Sequence, residues 1–204
     1  MVRPIAFLVG LVFVAALVVA LLIPREAAEI TAAQVFHKEP KAFHLASDGP
    51  LGRFDRQQLQ RGFQVYKEVC SACHSLHLVA FRDLEEIGFS KAEVKAIANQ
   101  WAIEVPSVNP DTGEPATRKA LPSDHFPTPY ANETAARAAN NNALPPDLSL
   151  IVKAREGHAA YLHSLLTGYS EVPAELKRRF PDAVPPDTLH YNPYFANLAI
   201  AMPP

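Results

Sequence analysis

The sequence predicts an all-α fold whose helices are joined by long proline-rich loops and preceded by one N-terminal apolar helix. Three observations carry this expectation. Apolar residues recur three and four positions apart in several stretches, the period of a helix face, whereas alternating strand patterns are nearly absent. The 204 residues hold 19 prolines against 8 glycines, and most of the prolines lie beyond residue 104, which predicts stiff, extended connections. Ile5 to Ile23 is a continuous apolar run, close to the ~20 residues a helix needs to cross a bilayer.

Arg3 precedes that run, so the positive-inside tendency keeps the start cytoplasmic and sends the rest outward. A cleaved signal peptide is the competing reading of residues 1–24. Its apolar region is usually ~7–15 residues long, and Pro24-Arg25-Glu26 stands where a small-residue cleavage site would be, which favours an uncleaved signal-anchor. Residues 25–50, with Pro40 and Pro50 and no sustained period, read as a polar tether, and 51–204 as the folded domain. A net charge of −2 offers no basic surface for nucleic acid.

Asp55 is a plausible N-cap. After it Leu59, Phe63, Tyr66, Cys70, Cys73 and His77 follow at four and three residues, which predicts one continuous helical face. Gly62 on that helix implies either close packing of a second helix or an idle surface position. Ser90 and Glu93 fit a capping box, with Val94, Ile97, Ala98 and Trp101 behind it, and Trp101 reads as core. Glu104 to Tyr130 carries repeated prolines and an Asp-Thr-Gly turn at Gly113; a loop of that length tends to carry function. Asn132 can cap a short helix through Ala139, ended by Asn140-Asn141-Asn142. Asp147 can cap the next, Leu148 to Arg155, with Gly157 as its stop. Tyr161, Leu162, Leu165 and Leu166 give one more apolar face, closed by Gly168.

The chemistry is concentrated in Cys70-Ser71-Ala72-Cys73-His74, the Cys-x-x-Cys-His pattern of c-type haem attachment. On a helical turn these three side chains share one face, so two thiols can meet the vinyl groups of one flat macrocycle while the imidazole meets its iron. With only two cysteines a four-cysteine zinc site is excluded; a zinc site completed by histidines is the alternative. A thioredoxin-like pair would need strand–helix alternation, which is missing. Iron held by one histidine takes a second axial ligand or stays open. Met1 lies on the far side of the anchor, which leaves Met202, with an ordinary apolar tail residue as the plainer reading. His125, His158, His163 and His190 are the rival ligands. Arg137 is a candidate partner for haem propionates, a solvated helix face being the alternative.

Beyond the motif, FDRQQLQRGFQVYKEVCSACHSL, NETAARAANNNALPPDLS (132–149), YLHSLLTGY (161–169) and NPYFANLAIAMPP (192–204) resemble, in the same order, the recurrent stretches of the cytochrome c1 family. The resemblance covers roughly residues 45–204. It implies a cytochrome c-type domain with one covalent haem c, Met202 as the sixth iron ligand and Arg137 near a propionate. It also implies electron transfer in the quinol–cytochrome c reductase complex, with cytochrome b, the Rieske iron–sulfur protein and a soluble or membrane-bound cytochrome c as partners. The expected place is a bacterial inner membrane, haem domain on the periplasmic side, or an equivalent intermembrane compartment. The family continues past this methionine to a C-terminal membrane helix, so a chain ending at Pro204 reads as truncated; a signal peptide at the start is the usual family arrangement. Asp83, Glu85 and Glu86 form a small acidic cluster that could serve docking. The rival functions are a free-standing anchored cytochrome c and a haem-based gas sensor, and no second constellation points to an enzyme in its own right.

Overall fold

The computed structural model describes residues 2–23 and 29–204. The expected boundary at Pro24-Arg25-Glu26 lies outside the described residues. Helix α1 (Val2–Leu22) is apolar on every side, exposed along its length, and long and apolar enough to cross a membrane. A helix apolar all round suits a lipid environment, where its backbone polar groups are already paired internally.

The stretch read as a tether is polar in sequence but docked in the fold. A capping box of Thr31 and Gln34 starts α2 (Ala32–Phe36). Beyond it the Lys38 amide donates to the Pro193 carbonyl (2.8 Å), the Lys41 amide to Ser164 Oγ (2.8 Å), and the Phe43 ring stacks on His163 at 4.2 Å.

Asp55 caps α3 (Arg56–Glu68) by accepting from the amides of Gln57 and Gln58. The helix ends earlier than the apolar period suggests. Val69 leaves the helical region (φ −121°, ψ −62°), the Ser71 hydroxyl takes the Lys67 carbonyl, and Cys70–Ala72 form a 3-10 turn. Gly62 proves an idle surface glycine, since a Cβ there would meet nothing within 4 Å. The Ser90–Glu93 capping box forms as expected and starts α4 (Lys91–Asn99).

The all-α expectation is corrected between Glu104 and Tyr130. Strands β1 (Val105–Val108) and β2 (Pro115–Arg118) pair antiparallel, Val105 opposite Arg118 and Val108 opposite Pro115, around a turn at Asn109–Glu114 in which Gly113 has φ +75°. Prolines at both strands conceal the pairing, because proline weakens the strand signal and survives only where no ladder donor is needed. Asn132 caps α5 (Glu133–Ala139), and Asn141 and Asn142, at φ 52° and 64°, close it. The helix expected from Asp147 is shorter: α6 is Ile151–Ala154, and Asp147 is occupied elsewhere. Gly157, at φ +77°, separates α6 from α7 (His158–Leu166). Helix α8 (Ala174–Arg179) and a second two-stranded sheet, β3 (His190–Tyr191) with β4 (Ala199–Ile200), complete the chain.

Among the described residues two apolar clusters result. The larger holds Phe81, Leu84, Val94, Ala98, Trp101, Val105, Ala120 and Phe126, with Phe63 and Tyr66 of α3 packed on it. Trp101 is core, as expected. Phe126 is its hub: its ring lies 4.2 Å from Phe81, 5.0 Å from Trp101 and 6.0 Å from both Phe63 and Tyr66. The smaller joins Ala32, Leu176, Tyr191 and Leu198, with Phe36 set edge-on to Phe180.

Candidate functional site

The turn after α3 holds Cys70, Cys73 and His74 together. The amides of Cys73 (3.1 Å) and His74 (2.8 Å) both donate to the Cys70 carbonyl, so the three side chains leave one tight turn rather than a continuing helix. His74 is then gripped on two sides. Tyr66, from the large core, donates its hydroxyl to the His74 carbonyl (3.2 Å). The ring Nδ1 meets the Pro146 carbonyl at 2.8 Å, and since a carbonyl only accepts, the proton must sit on Nδ1. Nε2 is thereby left with its lone pair, the state a metal ligand requires.

The donor set fits a haem better than a bare ion. Among the described residues no three His, Cys, Asp or Glu side chains converge to hold a metal ion, whereas a closed zinc site needs four ligands. Thioethers at the rim of a macrocycle need no such convergence. Burial, assisted by the neighbouring Cys73, pushes the Cys70 thiol up despite an opposing main-chain hydrogen bond. That is the reverse of a redox-active Cys-x-x-Cys pair, whose reactivity depends on a depressed thiol. Tyr66 is pushed up to about 12, by burial and then by the nearby Asp147 and Cys70 charges, so it stays a neutral donor.

Asp147, read from the sequence only as a helix cap, was not revealed as a site residue because its partner His77 lies 70 residues away. Its Oδ2 accepts from the His77 amide (2.9 Å) and pairs with His77 Nδ1 (2.6 Å), and its Oδ1 accepts from the Ser149 amide (2.8 Å). Burial opposes its ionisation, yet the hydrogen bonds from Ser149, His77 and Ser75 outweigh this and hold the carboxyl well below the usual carboxylate range.

Met202 follows β4 and is half-buried; its carbonyl accepts from the Tyr169 hydroxyl (3.0 Å). The loop leading to it depends on Asn192, fully buried and fully bonded. Its side-chain amide donates to Leu165 (2.8 Å), its Oδ1 accepts from Tyr194 (3.0 Å), and its own amide donates to Leu198 (3.0 Å). Asn192 was not singled out from the sequence, where a lone asparagine before proline reads as a turn. Gly168 is required here for close approach, since a Cβ would lie 2.4 Å from the Ser164 carbonyl oxygen and from the Tyr194 ring. Arg137 is exposed at the end of α5, and one of its guanidinium N–H groups donates to the Asn142 carbonyl (3.0 Å).

Of the rival histidines, His125 Nδ1 meets the His77 carbonyl (2.6 Å) and His158 Nδ1 the Val152 carbonyl (3.0 Å), the same Nδ1 contact that His74 makes. His163 stacks on Phe43 while its buried Nδ1 has no hydrogen-bond partner, and His190 sits in β3 beside Tyr169. In the acidic cluster Asp83 caps its own 3-10 turn by accepting from the Ala80 amide (2.8 Å), and Glu85 and Glu86 are exposed.

The family model described as Cytochrome C1 family matches residues 45–204. The chain is 49% identical over 156 residues to "Cytochrome c1 1, heme protein, mitochondrial" of Arabidopsis thaliana, covering 76% of this chain and 48% of that protein. It is 46% identical over 163 residues to the "Cytochrome b-c1 complex catalytic subunit, mitochondrial" of Candida albicans (80% and 54%), and 44% over 165 residues to "Cytochrome c1" of Rhodospirillum rubrum (76% and 60%). The chain thus spans about half the length of the curated relatives it matches. With the match running from the tether's end through the Cys-x-x-Cys-His turn to Met202, the chain belongs to the cytochrome c1 family.

Proposed function

We propose that this chain carries one covalently bound haem c and acts as the electron-carrier subunit of a quinol–cytochrome c reductase complex. In this reading it takes electrons from the Rieske iron–sulfur protein, hands them to a soluble or membrane-bound cytochrome c, and is held beside cytochrome b. The observation that carries the reading is the His74 turn: two thiols and an imidazole with its Nδ1 proton committed to Pro146, in a chain of the cytochrome c1 family. The names of the relatives, a heme protein and a b-c1 complex subunit, support the same assignment.

Bound there, haem c supplies reversible one-electron chemistry at its iron. Cys70 and Cys73 would hold it as thioethers, and His74 Nε2 and the Met202 thioether would ligate its iron, with Tyr169 holding the Met202 main chain. A thioether raises the potential and closes the site to added ligands, which separates this reading from a gas sensor. Arg137 keeps further N–H donors for a propionate carboxylate. The aromatic cluster packs behind Tyr66, whose hydroxyl holds the His74 main chain. No substrate bond is made or broken here, so the subunit is not an enzyme alone and catalysis belongs to the complex. Helix α1 would anchor the chain in a bacterial inner membrane, with the folded domain on the periplasmic side or in an equivalent compartment.

The test is quinol-driven reduction of this haem in native membranes with and without the iron–sulfur protein. Loss of reduction on removing that protein, with chemical reductants still effective, is the expected result. Unchanged reduction would overturn the assignment in favour of a free-standing carrier.

A further inference from the structure

We infer that Asp147 is the positioning residue for the axial imidazole, riveting the Pro146 segment to the loop that carries His74. The inference rests on the haem reading above and extends it to a residue that touches no ligand atom. Residues 74–78 and 145–149 have no helix or strand of their own, so their relative placement is decided by individual hydrogen bonds. Those bonds form a continuous seam. The Leu148 amide donates to the Ser75 carbonyl (2.9 Å) and the Leu78 amide to Ser149 Oγ (3.0 Å). Between them the Asp147 carboxylate takes the His77 amide, the His77 ring and the Ser149 amide. The one link that reaches the ligand is His74 Nδ1 to Pro146 O, at the seam's end. Pro146 has a locked φ and no N–H, so the aim of its carbonyl follows from what holds its neighbour.

The chemistry of that link gives the consequence. An Nδ1–H donated to a well-placed carbonyl makes the imidazole a stronger electron donor, which favours the ferric state and lowers the potential. Loosening the seam lengthens the link and shifts the potential upward. A carboxylate accepts with both oxygens, whereas an amide accepts with one. Asp147→Asn therefore cannot serve both the Ser149 and His77 amides. Ser149→Ala removes the hydroxyl that accepts from the Leu78 amide and acts on Asp147, and it changes no charge.

The experiment uses the full haem-loaded chain in detergent. It combines potentiometric titration with hydrogen exchange of peptides covering 74–78 and 145–149, with covalent haem counted by its pyridine haemochrome. Expected are an upward midpoint shift in both variants, larger for Asp147→Asn, and roughly tenfold faster exchange in both peptides, the scale of one lost hydrogen bond. If Asp147→Asn shifts while Ser149→Ala titrates and exchanges as wild type, the carboxylate acts through its charge alone and the inference is overturned. Wild-type behaviour of both variants overturns it too. If Asp147→Asn does not accumulate, Ser149→Ala decides. Absence of a haemochrome from the wild type would instead sink the haem reading itself, a distinguishable failure.

Discussion

The region around Cys70, Cys73 and His74 and the region around Met202 are built differently. The side that presents Cys70, Cys73 and His74 rests on a cluster drawn from one continuous stretch, Phe63 to Phe126, whose strength is aromatic packing. The side that presents Met202 is assembled from distant pieces: the 31–43 segment, α7, α8 and the C-terminal strands. It has a small apolar cluster and leans on a buried asparagine and main-chain bonds. The contrast suits the two jobs proposed for them: a covalent attachment and a strong imidazole ligand would need a rigid base, whereas a weak thioether would have to be held by the shape of its loop. Packing spreads its energy over many contacts, while a polar hub concentrates it in a few bonds.

The largest expected effect tests the first side. Phe126→Ala removes the ring shared by Phe63, Tyr66, Phe81 and Trp101, and should cost about 3–5 kcal/mol in denaturant unfolding, with haem attachment reduced. A loss below about 1 kcal/mol would mean the aromatic cluster is not the base described.

Asn192→Ala tests the second side. It leaves the Leu165 carbonyl and the Tyr194 amide without their buried partner, for an expected loss of about 2–3 kcal/mol. It should free the Met202 loop, so that the ferrous haem gains affinity for carbon monoxide while covalent haem is retained. If Asn192→Ala abolished haem attachment as thoroughly as Phe126→Ala, the two sides would not be separable.

The smallest effect sharpens the first region's hold on His74. Tyr66 has its pKa raised by burial from 10.0 to about 12, so its contribution to stability is fully present below pH 10 and declines as pH rises toward 12. Tyr66→Phe should flatten that alkaline limb in thermal unfolding measured from pH 9 to 12. A limb unchanged by the substitution would assign it to other groups.

The parts legible in the sequence were those with short-range causes. Asp55, the Ser90–Glu93 box and Asn132 act on amides two or three residues away, so their caps could be read directly. Trp101, at helical spacing from Val94 and Ala98, could be placed in the core the same way. The early end of α3 was hidden because the apolar period runs on through Cys70 and Cys73 while the backbone tightens into a 3-10 turn. The β1–β2 hairpin was masked by its prolines.

By itself the sequence determined the apolar N-terminal helix, the helix starts at Asp55, Ser90 and Asn132, and the motif that brings two thiols and an imidazole into one turn. These follow from composition and from interactions within a few residues along the chain. Only the tertiary structure decided the seam from His74 to Ser149, the hub at Asn192, the docking of the 38–43 segment, and the hold of Tyr169 on Met202. In each of these a polar group is paired across tens of residues. Such pairing leaves no periodic trace, because its partner is chosen by where the packed chain passes rather than by what lies next in sequence.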